Sequence, residues 1–141
     1  MIQMKNVYKK YPNGVVATNG ISVDIKQGEF VYVVGPSGAG KSTFIKLMYR
    51  EEKATSGEVI VNGINLTTIR NNAVPKFRRQ LGVVFQDFKL LPRLTVYENV
   101  AFALEVIEES PKIIRKRVMD VLELVGLSHK ARMFPNELSG G

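Results

Sequence analysis

Cysteine is absent from the 141-residue chain, which removes disulfides, thiolate-bound zinc, iron–sulfur clusters and thiol catalysis from the functions open to it. Histidine is reduced to His129 alone. A Ser-His-Asp triad or a His-rich metal site would have to form around that residue, in a polar segment with no nucleophile signature beside it, and neither is expected. Long apolar runs are missing too: Phe30–Val34 and Val100–Leu104 fall far short of the roughly 20 residues that span a bilayer. The start, Met1-Ile2-Gln3-Met4-Lys5-Asn6, lacks the charged segment and apolar stretch of a signal peptide. A cytoplasmic location is expected.

What is present suits a packed domain, with 45% hydrophobic and 23% charged residues. Lys and Arg number 20 against 13 Asp and Glu, a net +7 spread along the chain and not gathered in a tail. Such an excess is compatible with nucleic acid, a phosphate ligand or an anionic surface, so it selects no partner. Residues 2–8 and 21–26 read as short strands, the second from the alternation of Ile21, Val23 and Ile25 with Ser22, Asp24 and Lys26. Pro12-Asn13-Gly14 marks a turn between them. Phe30-Val31-Tyr32-Val33-Val34 is apolar throughout and predicts a strand buried on both faces. Residues 57–62 and 82–85 are further strand candidates, with a short helix over 75–81.

Beyond Pro92 the pattern turns helical. Thr95-Val96-Tyr97-Glu98 predicts a capping box, Ser110-Pro111 opens a second helix, and Gly126 closes it. On that helix Ile114, Val118, Val121, Leu122 and Val125 predict one apolar face, with Arg115, Lys116 and Glu123 on a solvated one.

Chemistry concentrates in Gly35-Pro36-Ser37-Gly38-Ala39-Gly40-Lys41-Ser42, which satisfies G-x-x-x-x-G-K-[ST] between an expected strand and an expected helix. Glycines let successive amides turn inward around phosphate oxygens, and the helix that follows aims its N-terminal dipole at the same anion. Lys41 is placed to bridge β- and γ-phosphates and Ser42 to ligate Mg²⁺. GTPases, kinases, helicases and transport ATPases share such a loop. The base-reading Asn-Lys-x-Asp of a GTPase is absent.

Other residues narrow the class. Tyr11 in Tyr8-Lys9-Lys10-Tyr11-Pro12, the loop Gly35–Thr43, Gln86 after Val83-Val84-Phe85, and Leu138-Ser139-Gly140-Gly141 occur in that order. With them the chain resembles the nucleotide-binding subunit of ABC-type ATPases over its whole length. The resemblance implies an α/β P-loop NTPase of ABC type, with a sheet-rich ATP-binding core lobe over 1–91, a helical lobe over 92–135 and the start of the signature motif at 136–141. It implies ATP and Mg²⁺ as cofactors. Tyr11 would stack on adenine, and Gly35, Pro36, Ser37, Gly38, Ala39, Gly40, Lys41, Ser42 and Thr43 would hold the phosphates. Lys41 and Gln86 would serve catalysis, with Ser42 and Gln86 on the metal. Ser139, Gly140 and Gly141 would face ATP bound to a second subunit in a head-to-tail homodimer.

More narrowly, Val83–Pro92 and Thr95–Val100, with Lys-Lys-Tyr-Pro-Asn-Gly at 9–14 and Phe-Pro-Asn-Glu-Leu-Ser-Gly-Gly at 134–141, resemble the cell-division members of the family. That implies the membrane protein FtsX as partner, control of cell-wall hydrolases, and a place on the inner face of the membrane. Phe88, Leu90, Leu91 and Tyr97 are candidates for the groove receiving that partner, with ordinary core packing as the other reading. Asp24, Asp87 and Asp120 do not fit the family's Walker B pattern, and His129 precedes the signature motif. Walker B and the switch histidine are therefore expected beyond Gly141, so this segment alone should be marginally stable and bind nucleotide without turnover. The alternatives are a related ABC exporter or lipoprotein-extracting ATPase, a nucleic-acid-associated ABC protein, and a non-catalytic module. No nucleic-acid partner is expected.

Overall fold

The computed structural model describes residues Met1–Ser139. It divides into two compact units, Met1–Val83 and the residues from Val84 onward.

The first unit is built on an antiparallel sheet. Strands β1 (Ile2–Lys10) and β2 (Val16–Ile25) pair around the turn after Tyr11, where the Tyr11 amide donates to Val15 and the Gly14 amide to Tyr11. β3 (Ser56–Val61) pairs with the other edge of β1, and the two-residue β4 (Ile64–Asn65) adds to β3, giving the order β2-β1-β3-β4. Helix α1 (Lys41–Met48) supplies Phe44 and Leu47 to a core with Met4, Val7, Val59, Val61, Leu66 and Phe77. Phe77 comes from the short helix α2 (Val74–Arg78), which starts with proline in its first turn. α2 also terminates α1: Arg78 donates from Nε to the Tyr49 carbonyl at 2.9 Å and from Nη2 to the Arg50 carbonyl at 2.9 Å. The Tyr49 carbonyl, at the C-cap, is one that a helix end leaves without an internal partner.

Two expected strands are corrected. Residues 30–34 form no ladder, and Phe30, Tyr32 and Val34 are 80%, 78% and 85% exposed. Residues 82–85 are likewise not a strand, with Val84 95% exposed. An apolar run codes for burial, but a strand exists only where a neighbour takes its amides and carbonyls. No strand of the β2-β1-β3-β4 sheet pairs with either segment.

The second unit is helical, with α3 (Val96–Glu105) and α4 (Pro111–Leu124) packed through Val96, Ala101, Ile114, Val118 and Leu122. The capping box at α3 is present: the Glu98 amide donates to Thr95 Oγ1 at 3.3 Å, and Thr95 donates its amide to Glu98 Oε2 at 2.7 Å. Gly126, at φ +70°, follows α4 and lets the Leu127 amide return to the Leu122 carbonyl at 2.7 Å. The apolar face of α4 is narrower than expected. Ile114, Val118 and Leu122 are buried, but Val121 and Val125 are 44% and 58% exposed, because only the i, i+4, i+8 row faces α3. Among the described residues no helix is long and apolar enough to cross a membrane.

Candidate phosphate-binding site

Gly40 is the N-cap of α1 and sits in the left-handed region, at φ 86°. A Cβ there would collide with the Ala17 carbonyl oxygen of β2, so the loop reaches its position against the sheet only with glycine. Gly38 is left-handed as well, at φ +79°. The chain turns tightly over residues 36–39, the Ala39 amide donating to the Pro36 carbonyl at 3.2 Å. Alternating backbone conformations of this kind point successive amides to one side and make a cradle for anions.

The helix adds to the cradle. No side chain caps α1 and no acidic residue stands in its first turn, so its leading amides face outward with the positive end of the helix dipole behind them. The first internal bond, from the Phe44 amide to the Gly40 carbonyl at 2.8 Å, shows the helix to be formed from its first turn. Lys41 folds back over the loop, donating from Nζ to the Gly35 and Pro36 carbonyls at 2.7 Å each. The loop thus presents an ammonium and several backbone donors, and no carboxylate lies between Gly35 and Thr43. Those are the features that a polyphosphate requires. Ser42, on the first turn, is exposed.

Tyr11 and the loop belong to one assembly. The Tyr11 and Thr43 hydroxyls are hydrogen-bonded at 3.1 Å, so the residue after β1 is tied to the buried threonine of α1. Two residues that the sequence reading passed over join them. Lys9 Nζ lies 4.9 Å from the Tyr11 ring centroid and is paired to Glu52 at 2.7 Å. The alternation of a strand places Lys9 and Tyr11 on one side, a signal available in the sequence. Nothing local points to Glu52.

Gln86 and Ser139 lie in the second unit, both exposed, Gln86 in a turn. After Gln86 the backbone is left-handed at Phe88 and Lys89, with φ 55° and 51°. Lys89 bonds Asp87 at 2.6 Å, and that hydrogen bond holds the Asp87 carboxyl below its ordinary range. Phe88, Leu90 and Leu91 are exposed, while Tyr97 packs against the α3–α4 core. Gly140 and Gly141 lie outside the described residues. Asn99, also missed, braces the chain ahead of α3: its Oδ1 accepts from the Leu91 amide at 2.8 Å and its Nδ2 donates to the carbonyls of Leu91, Leu94 and Thr95. Among the described residues no three Asp, Glu or His side chains converge as a metal cluster.

The family model "ABC transporter" matches residues 18–141. The chain is 69% identical over its full length to the cell division ATP-binding protein FtsE of Bacillus subtilis, covering 62% of that protein. It is 50% identical to the protein of the same name from Mycobacterium tuberculosis, again covering 62% of it. The methionine import ATP-binding protein MetN of Helicobacter acinonychis is 45% identical, with 43% of its length covered. Among solved structures, the ATP-binding cassette MJ0796, described as a dimer in a post-hydrolysis state bound to ADP and Pi, superposes with a TM-score of 0.89. The identity there is 38%, and the match covers 99% of this chain and 64% of that one. The chain thus spans about 62% of the length of the FtsE proteins it matches. A glycine-rich loop leading into α1, a cassette fold and a family match over most of the residues agree, and the chain belongs to the ABC transporter family.

Proposed function

We propose that this chain supplies the ATP-binding part of an ABC-type ATPase acting in bacterial cell division. The observation that carries the reading is Lys41, whose ammonium lies over the Gly35–Gly40 loop at the uncapped N-terminus of α1. On binding ATP, Lys41 exchanges the Gly35 and Pro36 carbonyls for β- and γ-phosphate oxygens, and the amides of the loop and first turn take the remaining ones. Tyr11 stacks on the adenine, a contact worth about 1–3 kcal/mol for base–aromatic pairs. Residues 1–91 act as the ATP-binding lobe and 92–135 as the helical lobe.

Mg²⁺, a hard cation served by oxygen ligands, neutralises phosphate charge when bound. By the family resemblance, Ser42 of the first unit and Gln86 of the second would be the groups of this chain to hold it, with phosphate oxygens. Turnover also requires an acidic group at the metal and a residue that positions water. We assign both to the intact protein outside this chain, since Asp24, Asp87 and Asp120 do not follow a suitable apolar strand. Ser139, Gly140 and Gly141 are assigned to the ATP of a second subunit, so that two nucleotides are enclosed in a head-to-tail homodimer.

The cell-division assignment is supported by the 69% identity to FtsE against 45% to MetN. It implies FtsX as the membrane partner and control of cell-wall hydrolases as the output. Phe88, Leu90, Leu91 and Tyr97 are the residues assigned to its docking. The test is steady-state ATP hydrolysis by the intact protein, alone and co-purified with FtsX. Hydrolysis that disappears in Lys41→Ala, with FtsX retained on the purified protein, is expected. Hydrolysis unaffected by Lys41→Ala contradicts the site, and a complex formed only with an exporter subunit contradicts the cell-division role.

A further inference from the structure

We propose that Lys9 is a positioning residue for the nucleotide base: anchored by Glu52, its ammonium covers one face of the Tyr11 ring and leaves the opposite face to the adenine. The inference rests on the reading of Tyr11 as the base platform. Lys9 and Tyr11 project to the same side because they are two residues apart on extended backbone at the end of β1. Lys9 Nζ sits 4.9 Å from the ring centroid, within the range of a cation–π contact. The ammonium has two anchors. It is paired to Glu52 Oε2 at 2.7 Å and donates to the Lys53 carbonyl at 3.0 Å. The Lys9 and Glu52 side chains are only 13% and 26% exposed, so solvent and salt screen the pair less than an open surface bridge.

The ring is therefore held in two independent ways. Its hydroxyl is bonded in the ring plane to Thr43 of α1 at 3.1 Å, and its face is covered from above by Lys9. A platform oriented before the ligand arrives saves the ordering cost that a free tyrosine meets on binding. It also gives the base one side on which to stack. Because Thr43 follows the phosphate loop directly, the platform is set relative to the phosphates by the same helix that receives them. Lys9 contributes to the base half of recognition and not to the phosphate half.

That division makes the test. Dissociation constants are measured on the intact protein for ATP and for inorganic tripolyphosphate, which carries the phosphates without a base. Lys9→Met is expected to weaken ATP about two- to fivefold, the range of a partly exposed cation–π contact, and to leave tripolyphosphate unchanged. Lys9→Arg, whose guanidinium also stacks on an aromatic face, is expected to restore ATP affinity. Tyr11→Ala, compared in parallel, separates the two levels of inference. If Tyr11→Ala weakens ATP and Lys9→Met does not, the role of Lys9 is overturned while the platform stands. If Tyr11→Ala leaves ATP affinity unchanged, the platform reading fails and the inference with it. Equal weakening of ATP and tripolyphosphate by Lys9→Met overturns the inference by making Lys9 a phosphate contact or a support of the fold.

Discussion

At the scale of single residues, the site depends on a backbone that only glycine can adopt. Gly40→Ala adds a Cβ against the Ala17 carbonyl at a left-handed φ of 86°. The left-handed conformation alone costs about 1–2 kcal/mol for an L-residue, and the collision adds to it. A fall of more than about 2 kcal/mol in urea unfolding is expected, together with loss of ATP binding; a variant as stable as the parent would contradict the close approach of loop and sheet. Thr18 gives the opposite sign. Its hydroxyl is buried in β2 without a hydrogen-bond partner among the described residues, so Thr18→Val, which keeps the shape, removes an unpaired polar group. Unfolding measurements should show a gain of about 1 kcal/mol or more. Destabilisation would mean that the hydroxyl finds a partner in solution.

At the scale of elements, what could be read from the sequence was what is encoded locally. Thr95 and Glu98 are three positions apart, so their reciprocal bonds follow from chain geometry once the helix forms. The glycine loop and its helix are legible for the same reason. Phe30–Val34 was not, because apolarity signals burial while a ladder depends on neighbours distant in sequence. The Lys9–Glu52 pair and the Arg78 cap on α1 also join remote segments, and no local pattern announces them. The capping box carries its own test. Thr95→Ala should cost about 1 kcal/mol by equilibrium unfolding. The Thr95 amide and hydroxyl hold the Glu98 carboxyl below its ordinary range. Its contribution is therefore complete above the unfolded-state glutamate pKa of about 4.3 and is lost as pH falls through the lower folded value. The difference in melting temperature between the parent and Glu98→Ala should hold from neutral pH to about pH 5 and narrow below about pH 4. A gap independent of pH would place the effect elsewhere.

At the scale of the whole molecule, each unit has its own apolar core, and the glycine loop proposed for the phosphates, Tyr11 and Thr43 all belong to the first. A ligand bound there should stabilise the native state by mass action, about 2.7 kcal/mol at a concentration one hundred times its dissociation constant. Thermal melts with and without ATP should show that shift in the parent protein. Direct calorimetric titration of the intact protein with ATP and Mg²⁺, parent against Lys41→Ala, is the most direct test of the phosphate site. Saturable binding weakened about tenfold or more by the substitution is expected, the scale of a lost charge-assisted hydrogen bond. Equal affinity in a Lys41→Ala protein with an unchanged circular dichroism spectrum would contradict the assignment of this loop to the phosphates of ATP.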